Sequence, residues 1–198
     1  MKKIVLSMLV ALFCFCGCQS QNHLEEELPP VKVLLPEGKP FPEELAGLWV
    51  GDRGSWQFYI LPDGTIPGAV IGLASTDIAP GKKREIQMLE GKKGIMIPGQ
   101  WIVQYVHSTQ ELMIECQMDY VHLEMGPHLL EGSTRDIFAG KVNFEDETWQ
   151  AEWISFPDYV AYVPEPKELT ANEGGDEMGV VVFKKQLPYK ESQSSSDQ

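Results

Sequence analysis

Trp101-Ile102-Val103-Gln104-Tyr105 and Leu112-Met113-Ile114-Glu115-Cys116-Gln117-Met118 decide the fold class. In both stretches bulky apolar residues recur at every second position. That period marks strands with one buried face. Working outward, Trp56, Phe58 and Ile60 repeat the pattern. So do Trp149, Ala151 and Trp153, with Gln150 and Glu152 between them, and Val180 to Phe183 is a short β-branched run. Turn chemistry separates these runs at Pro62-Asp63-Gly64, Pro80-Gly81-Lys82-Lys83, Glu90-Gly91-Lys92-Lys93, Pro98-Gly99, Gly126-Pro127 and Glu145-Asp146. Spacings near a dozen residues predict hairpins rather than βαβ crossovers. No window reads as an amphipathic helix beyond one turn at Pro42-Glu43-Glu44-Leu45. The expectation is an all-β domain, an antiparallel meander of about eight strands that closes, or nearly closes, into a barrel to remove its edges.

Composition narrows the function classes. The 198 residues are 43% hydrophobic, enough for a core, with 18 Gly and 14 Pro, which suits a turn-rich chain. The formal charge is −13, the wrong sign for a nucleic-acid binder, which needs a basic footprint against phosphates. There is no Gly-x-Ser-x-Gly, P-loop, dinucleotide fingerprint or Cys-x-x-Cys. No catalytic residue, cofactor or metal is assigned.

The chain's beginning reads as an address. Met1-Lys2-Lys3 is basic, and Ile4 to Phe15 is apolar but short of the ~20 residues that span a bilayer core. Phe15-Cys16-Gly17-Cys18 resembles a bacterial lipobox, with Gly17 and Cys18 at its most informative positions and Phe15 and Cys16 replacing the usual Leu and Ala or Ser. The resemblance implies cleavage before Cys18 and acylation of Cys18, and two or three acyl chains anchor stably. The other reading is ordinary secretion with cleavage after Cys18. Gln19, rather than Asp, behind the cysteine implies by the same resemblance an outer-membrane position facing the periplasm in a Gram-negative source. Of the four cysteines, Cys14 and Cys16 leave with the signal, so Cys116 is alone and no intrachain disulfide forms. The expected organisation is a signal at 1–17, a Pro/Glu-rich tether at 18–42, a barrel-like domain at 43–187 and a polar tail at 188–198. Glu25-Glu26-Glu27 lies in the tether, and its apolar patch Val31 to Leu35 reads as an edge strand.

Phe41-Pro42-Glu43-Glu44-Leu45-Ala46-Gly47-Leu48-Trp49, then Ser55-Trp56-Gln57-Phe58-Tyr59 and Asp63-Gly64-Thr65, resemble the first hairpin of lipocalin-like, or calycin, barrels. The resemblance covers about twenty-five residues and implies a lipocalin-like barrel whose lumen accepts a small apolar ligand; read from the residues alone, Trp49 closes one barrel end and Asp63-Gly64 makes a hairpin.

Three constellations carry possible chemistry. His122, Glu124, His128 and Glu131 flank Gly126-Pro127, a set that two imidazoles and a carboxylate can turn into a zinc site, but a half-buried hairpin is the simpler expectation. Lys82, Lys83, Arg84, Lys92 and Lys93 gather on two turns of an acidic chain and suit anionic headgroups, an acidic partner, or plain solvation of strand edges. Trp149, Trp153 and Phe156 suit either core or cavity lining. The functional expectation is a non-catalytic, membrane-anchored envelope lipoprotein that binds a small apolar ligand. The alternative is a structural or protein-interaction module that meets an envelope protein by a sheet edge or loop. An enclosed cavity of ~300 Å³ or more favours the first. An interior filled by Trp and Met favours the second.

Overall fold

The computed structural model describes residues 29–52, 56–71, 76–88, 91–125, 128–162, 170–171 and 177–186. The expected signal 1–17, Cys18, the first part of the tether and the tail 188–198 lie outside these residues. The strands are β1 (Val31–Leu34), β2 (Gly47–Gly51), β3 (Trp56–Ile60), β4 (Gly68–Ile71), β5 (Thr76–Ile78), β6 (Arg84–Gln87) and β7 (Lys93–Pro98). There follow β8 (Trp101–Val106), β9 (Glu111–Met125), β10 (His128–Asn143), β11 (Thr148–Tyr162), β12 (Thr170–Ala171) and β13 (Glu177–Gln186). One 3₁₀ turn, Glu43–Leu45, precedes β2. The domain is all-β, as the alternation predicts.

The ladder runs β1-β8-β9-β10-β11-β13-β2-β3-β4-β5. It curls, because rings from strands far apart in that order meet. Phe58 on β3 lies 5.4 Å, centroid to centroid, from Phe138 on β10 and 5.6 Å from Phe183 on β13. Trp149 stacks on Phe183 at 4.6 Å. Trp49, Trp101, Trp149, Phe58, Phe138, Phe183 and Met96 are all fully buried. The interior is a packed aromatic core.

The closed antiparallel meander is corrected in three respects. The sheet is an open half-barrel of ten strands along its main path. It is mixed, since β1 pairs parallel with β8, Val31 opposite Trp101 and Leu34 opposite Gln104. Its order is also not a simple meander, since β13 lies between β11 and β2. The physical reason for the opening lies at 79–82. Ala79 and Lys82 form a single bridge around Pro80-Gly81, and β6 then pairs with β7 instead of β5. Gly81, with φ +68°, makes that turn possible and shares its N–H between the carbonyls of Pro98 (3.0 Å) and Gly99 (3.2 Å).

β7 and β8 both run antiparallel to β9 and lie end to end along it. Where they meet, β9 carries a bulge. Between the pairs Gly132–Val121 and Thr134–Met118, two residues of β9, Asp119 and Tyr120, oppose the single Ser133. The extra residue changes which parity faces inward. Leu112, Ile114, Cys116 and Met118 are buried before it, and Val121 and Leu123 after it. Without the bulge, Tyr120, His122 and Glu124 face the core, where an unpaired carboxylate is costly. Pro98, beside the bulge, has no N–H, so the break in the ladder there forfeits little.

The other end is plugged. Trp49 follows the 3₁₀ turn and donates its indole N–H to the Leu45 carbonyl at 2.8 Å. Phe41 lies edge-on to Tyr105 at 6.2 Å and rests on Gly64. Gly64 has φ +85°, and a Cβ there meets the Phe41 ring at 2.7 Å. Asp63 accepts the Thr65 N–H (2.9 Å) and hydroxyl (2.6 Å). Those hydrogen bonds lower the Asp63 pKa.

Candidate functional site

Polar groups enter the interior at the end remote from Trp49. On β10 the inward parity reads Thr134, Asp136, Phe138, and on β11 Trp149, Ala151, Trp153, Ser155. Thr134, Asp136 and Ser155 are buried, Asp136 to 6% exposure. The Trp153 indole N–H donates to Asp136 Oδ1 at 2.9 Å, and the hydroxyls of Thr134 and Ser155 lie 3.4 Å apart. Trp153 also stacks on Phe138 at 6.5 Å. Cys116 sits opposite Asp136 in the ladder. Burial first, then Asp136 and Glu115, push its thiol pKa well up. Its buried thiol packs there as a small hydrophobe. Together these groups form a hydrogen-bonded patch that fixes the Trp153 and Asp136 side chains.

The Thr134–Asp136–Ser155 patch escapes the sequence reading. Thr134-Arg135-Asp136 reads as a solvated stretch until Asp136 is counted in step with Phe138. That two-residue spacing was the available signal. Trp149 is core, and its indole N–H has no hydrogen-bond partner among the described residues. Trp153 points inward, and Phe156 has the Arg135 guanidinium 4.7 Å above its ring.

The His–Glu segment lies along the outer parity that the bulge creates. Tyr120 donates its hydroxyl to Glu131 Oε1 at 2.7 Å, and its oxygen is 3.5 Å from His122 Nδ1. His122 Nε2 is 3.8 Å from Glu124 Oε1. Glu131 stands opposite His122 in the ladder. The Glu131 hydrogen bond raises the Tyr120 pKa, with desolvation and the carboxylate's charge adding to it. The structure thus brings together three of the four expected residues, with Tyr120 as their link. Gly126 and Pro127, and the His128 side chain, lie outside what is described. Among the described residues no cluster of three or more His, Cys, Asp or Glu is arranged to hold a metal.

The third constellation sits at the opened seam. Lys82, Lys83 and Arg84 lead into β6, and Lys92 and Lys93 lead into β7, with Gln87 opposite Lys93. Lys83 pairs with Glu85 at 2.8 Å. Beyond β7, β6 has no ladder partner among the described residues. Two open depressions lie on other parts of the sheet. One, of about 400 Å³, is lined by Leu48, Tyr59, Val70 and Asp77. The other, of about 620 Å³, is lined by Val106, Met113, Lys141, Gln150 and Val180. Met178 is 71% exposed beside Val180.

The chain matches no protein-family model, no curated protein and no solved structure. Among the described residues no helix is long and apolar enough to cross a membrane.

Proposed function

We propose that the protein is a non-catalytic envelope lipoprotein, anchored through acyl chains on Cys18, whose half-barrel serves as a protein-interaction module. One observation carries the choice of module over ligand carrier. The space that a lipocalin-like barrel gives to its ligand is taken by Phe58, Phe138, Trp149 and Phe183 in mutual contact. Close-packed rings leave no room for an apolar guest without repacking. The open edge of β6 and the exposed Met178 and Val180 are surfaces of the kind partners use. The lipobox-like Phe15-Cys16-Gly17-Cys18 supports the anchor.

The anchor is tested by Cys18→Ser, which is expected to move the protein from the membrane to the soluble fraction and to block signal cleavage. Unchanged processing and membrane association defeat it. The module is tested by native mass spectrometry of the Cys18→Ser chain purified from its own host. The expected spectrum contains the bare chain and its complexes with protein. A stoichiometric lipid or small apolar molecule on the bare chain returns the reading to ligand carriage.

A further inference from the structure

We propose that the depression over Gly68, on the outer face of β2 to β5, is a socket for a basic side chain, an arginine or lysine presented by a partner protein. The proposal rests on the interaction-module reading for the partner and adds the chemistry that the partner brings.

Three observations converge on it. The first is shape. On the outer face Leu48, Tyr59 and Gly68 stand in one row across β2, β3 and β4. Gln57, Val70 and Asp77 stand in the next row across β3, β4 and β5. Gly68 therefore leaves a gap with Tyr59 directly beside it, Val70 two residues along its own strand, and Gln57 and Asp77 on its diagonals. A Cβ on Gly68 meets the Ile78 carbonyl at 3.2 Å and no side-chain atom within 4 Å. Tyr59 thus leaves the glycine uncovered, where an aromatic neighbour often shields one. The result is an open depression of about 400 Å³. β5 ends the main ladder, so the depression is approachable from the sheet edge.

The second observation is unused polar capacity. Tyr59 is 49% exposed. The side chains of Gln57, Tyr59 and Asp77 form no hydrogen bond or ion pair among the described residues. The outward tyrosine of β9 differs, since Tyr120 is tied to Glu131.

The third is sign. Asp77 is the one charged residue in β2, β3, β4 and β5, on a chain of net charge −13. The groups around the gap are acceptors: the Asp77 carboxylate, the Gln57 amide oxygen, the Ile78 carbonyl and the negative face of the Tyr59 ring. A cation over Gly68 has that ring one strand spacing away, about 4.8 Å. It has Asp77 on a diagonal of about 7–8 Å between backbones, which long side chains close. Cation–π attraction and a charge-assisted hydrogen bond then favour the same guest. An anion finds no cation on these strands, and a wholly apolar guest desolvates Asp77 without pairing it. The larger depression of about 620 Å³ carries Lys141 beside Glu111 and Glu152, so it selects neither sign. The acidity of the whole chain steers a basic partner toward it and adds to the local preference.

Chemical-shift titration of the isotope-labelled full chain with the peptide acetyl-Gly-Gly-Arg-Gly-Gly-amide tests the socket, with citrulline in place of arginine as the neutral control. The arginine peptide is expected to move the Gly68 amide and the Gln57 side-chain amide. It is expected to bind about fivefold more tightly than the citrulline peptide and to weaken as salt rises. Asp77→Asn and Tyr59→Leu are each expected to lose about fivefold in affinity, whereas Glu152→Gln, in the larger depression, leaves it unchanged. Both socket side chains are exposed, and unchanged unfolding midpoints check that the variants fold. Equal binding of the two peptides overturns the proposal, as does an Asp77→Asn chain that binds as tightly as the wild type. Tighter binding of the neutral sugar maltotriose at Tyr59, untouched by Asp77→Asn, overturns it too. Native mass spectrometry separates the socket from the reading beneath it. Protein complexes that persist undiminished in the Asp77→Asn, Tyr59→Leu double variant keep the module and overturn the socket. Arginine-peptide binding by a chain that carries no protein from its own host defeats the module and keeps the socket as a site for a basic group.

Discussion

The plugged end around Trp49 and the polar end around Asp136 are spanned by the same long strands, β9, β10 and β11, yet they are stabilised differently. At the plugged end, inward positions are rings and aliphatics, and the one buried polar hydrogen of Trp49 is satisfied by the Leu45 carbonyl. At the other end, inward positions include Thr134, Asp136 and Ser155, each tied to a neighbour. Apolar packing tolerates small displacements but loses energy steeply when volume is removed. A buried polar patch loses little volume on conservative substitution but is sensitive to any unpaired atom. One continuous ladder thus carries a stability-bearing end and a geometry-bearing end.

The difference is sharpest for volume. Trp49→Ala is expected to destabilise the domain by about 3–5 kcal/mol, read by denaturant unfolding. A loss under about 1 kcal/mol would mean that the plug is dispensable. Gly64→Ala probes the same end through the backbone. It forces a side chain into a positive-φ turn and against Phe41, for an expected cost of about 2–3 kcal/mol. Combining it with Phe41→Leu tests the steric part, since relief of the clash makes the double variant less damaging than the sum of the two.

At the polar end, Trp153→Phe keeps the stacking on Phe138 but removes the donor to Asp136. The expected loss is about 1–2 kcal/mol, read by denaturant unfolding. The smallest effect belongs to the outer ladder. Tyr120→Phe removes the hydrogen bond to Glu131 and is expected to cost less than Trp153→Phe. Its sign with pH is fixed: folding raises the Tyr120 pKa, so its contribution is full below the ordinary tyrosine pKa near 10. It disappears as pH rises through the raised value. Tyrosinate absorbance and stability measured across that range check both statements.

Much of this was legible in the chain. The alternations at Trp101 to Tyr105 and Leu112 to Met118 fall on β8 and β9 with the expected faces buried. Lys82 to Arg84 and Lys92–Lys93 share one hairpin but lie at its opposite ends, because Arg84 stands opposite Met96 while Lys93 stands opposite Gln87. The open seam was not legible. It depends on β6 choosing β7 over β5, a competition between pairings that local patterning does not rank. The Asp119 bulge hid for a related reason. Met118-Asp119-Tyr120-Val121 looks like a lapse in alternation, and only the partners on both sides reveal an inserted residue. The parallel pairing of β1 joins residues seventy positions apart, Val31 with Trp101, and no nearby turn announces it.

The place of β13 has a consequence for how the chain is made. β2 to β5 are neighbours in sequence and can pair as they emerge from the ribosome, and so can β7 to β11. β13 is the last strand to be synthesised among those described, and it hydrogen-bonds both sets, β11 on one side and β2 on the other. Until Phe183 arrives, Phe58 and Trp149 lack the ring that packs against both of them. Ordering so distant a pairing delays folding more than it weakens the finished structure. A nascent chain of this design lacks the strand that joins its two sets until Glu177–Gln186 has been made, and a stop codon just before Glu177 removes the ladder between β11 and β2, leaving only ring contacts such as Phe58 on Phe138 to hold them together.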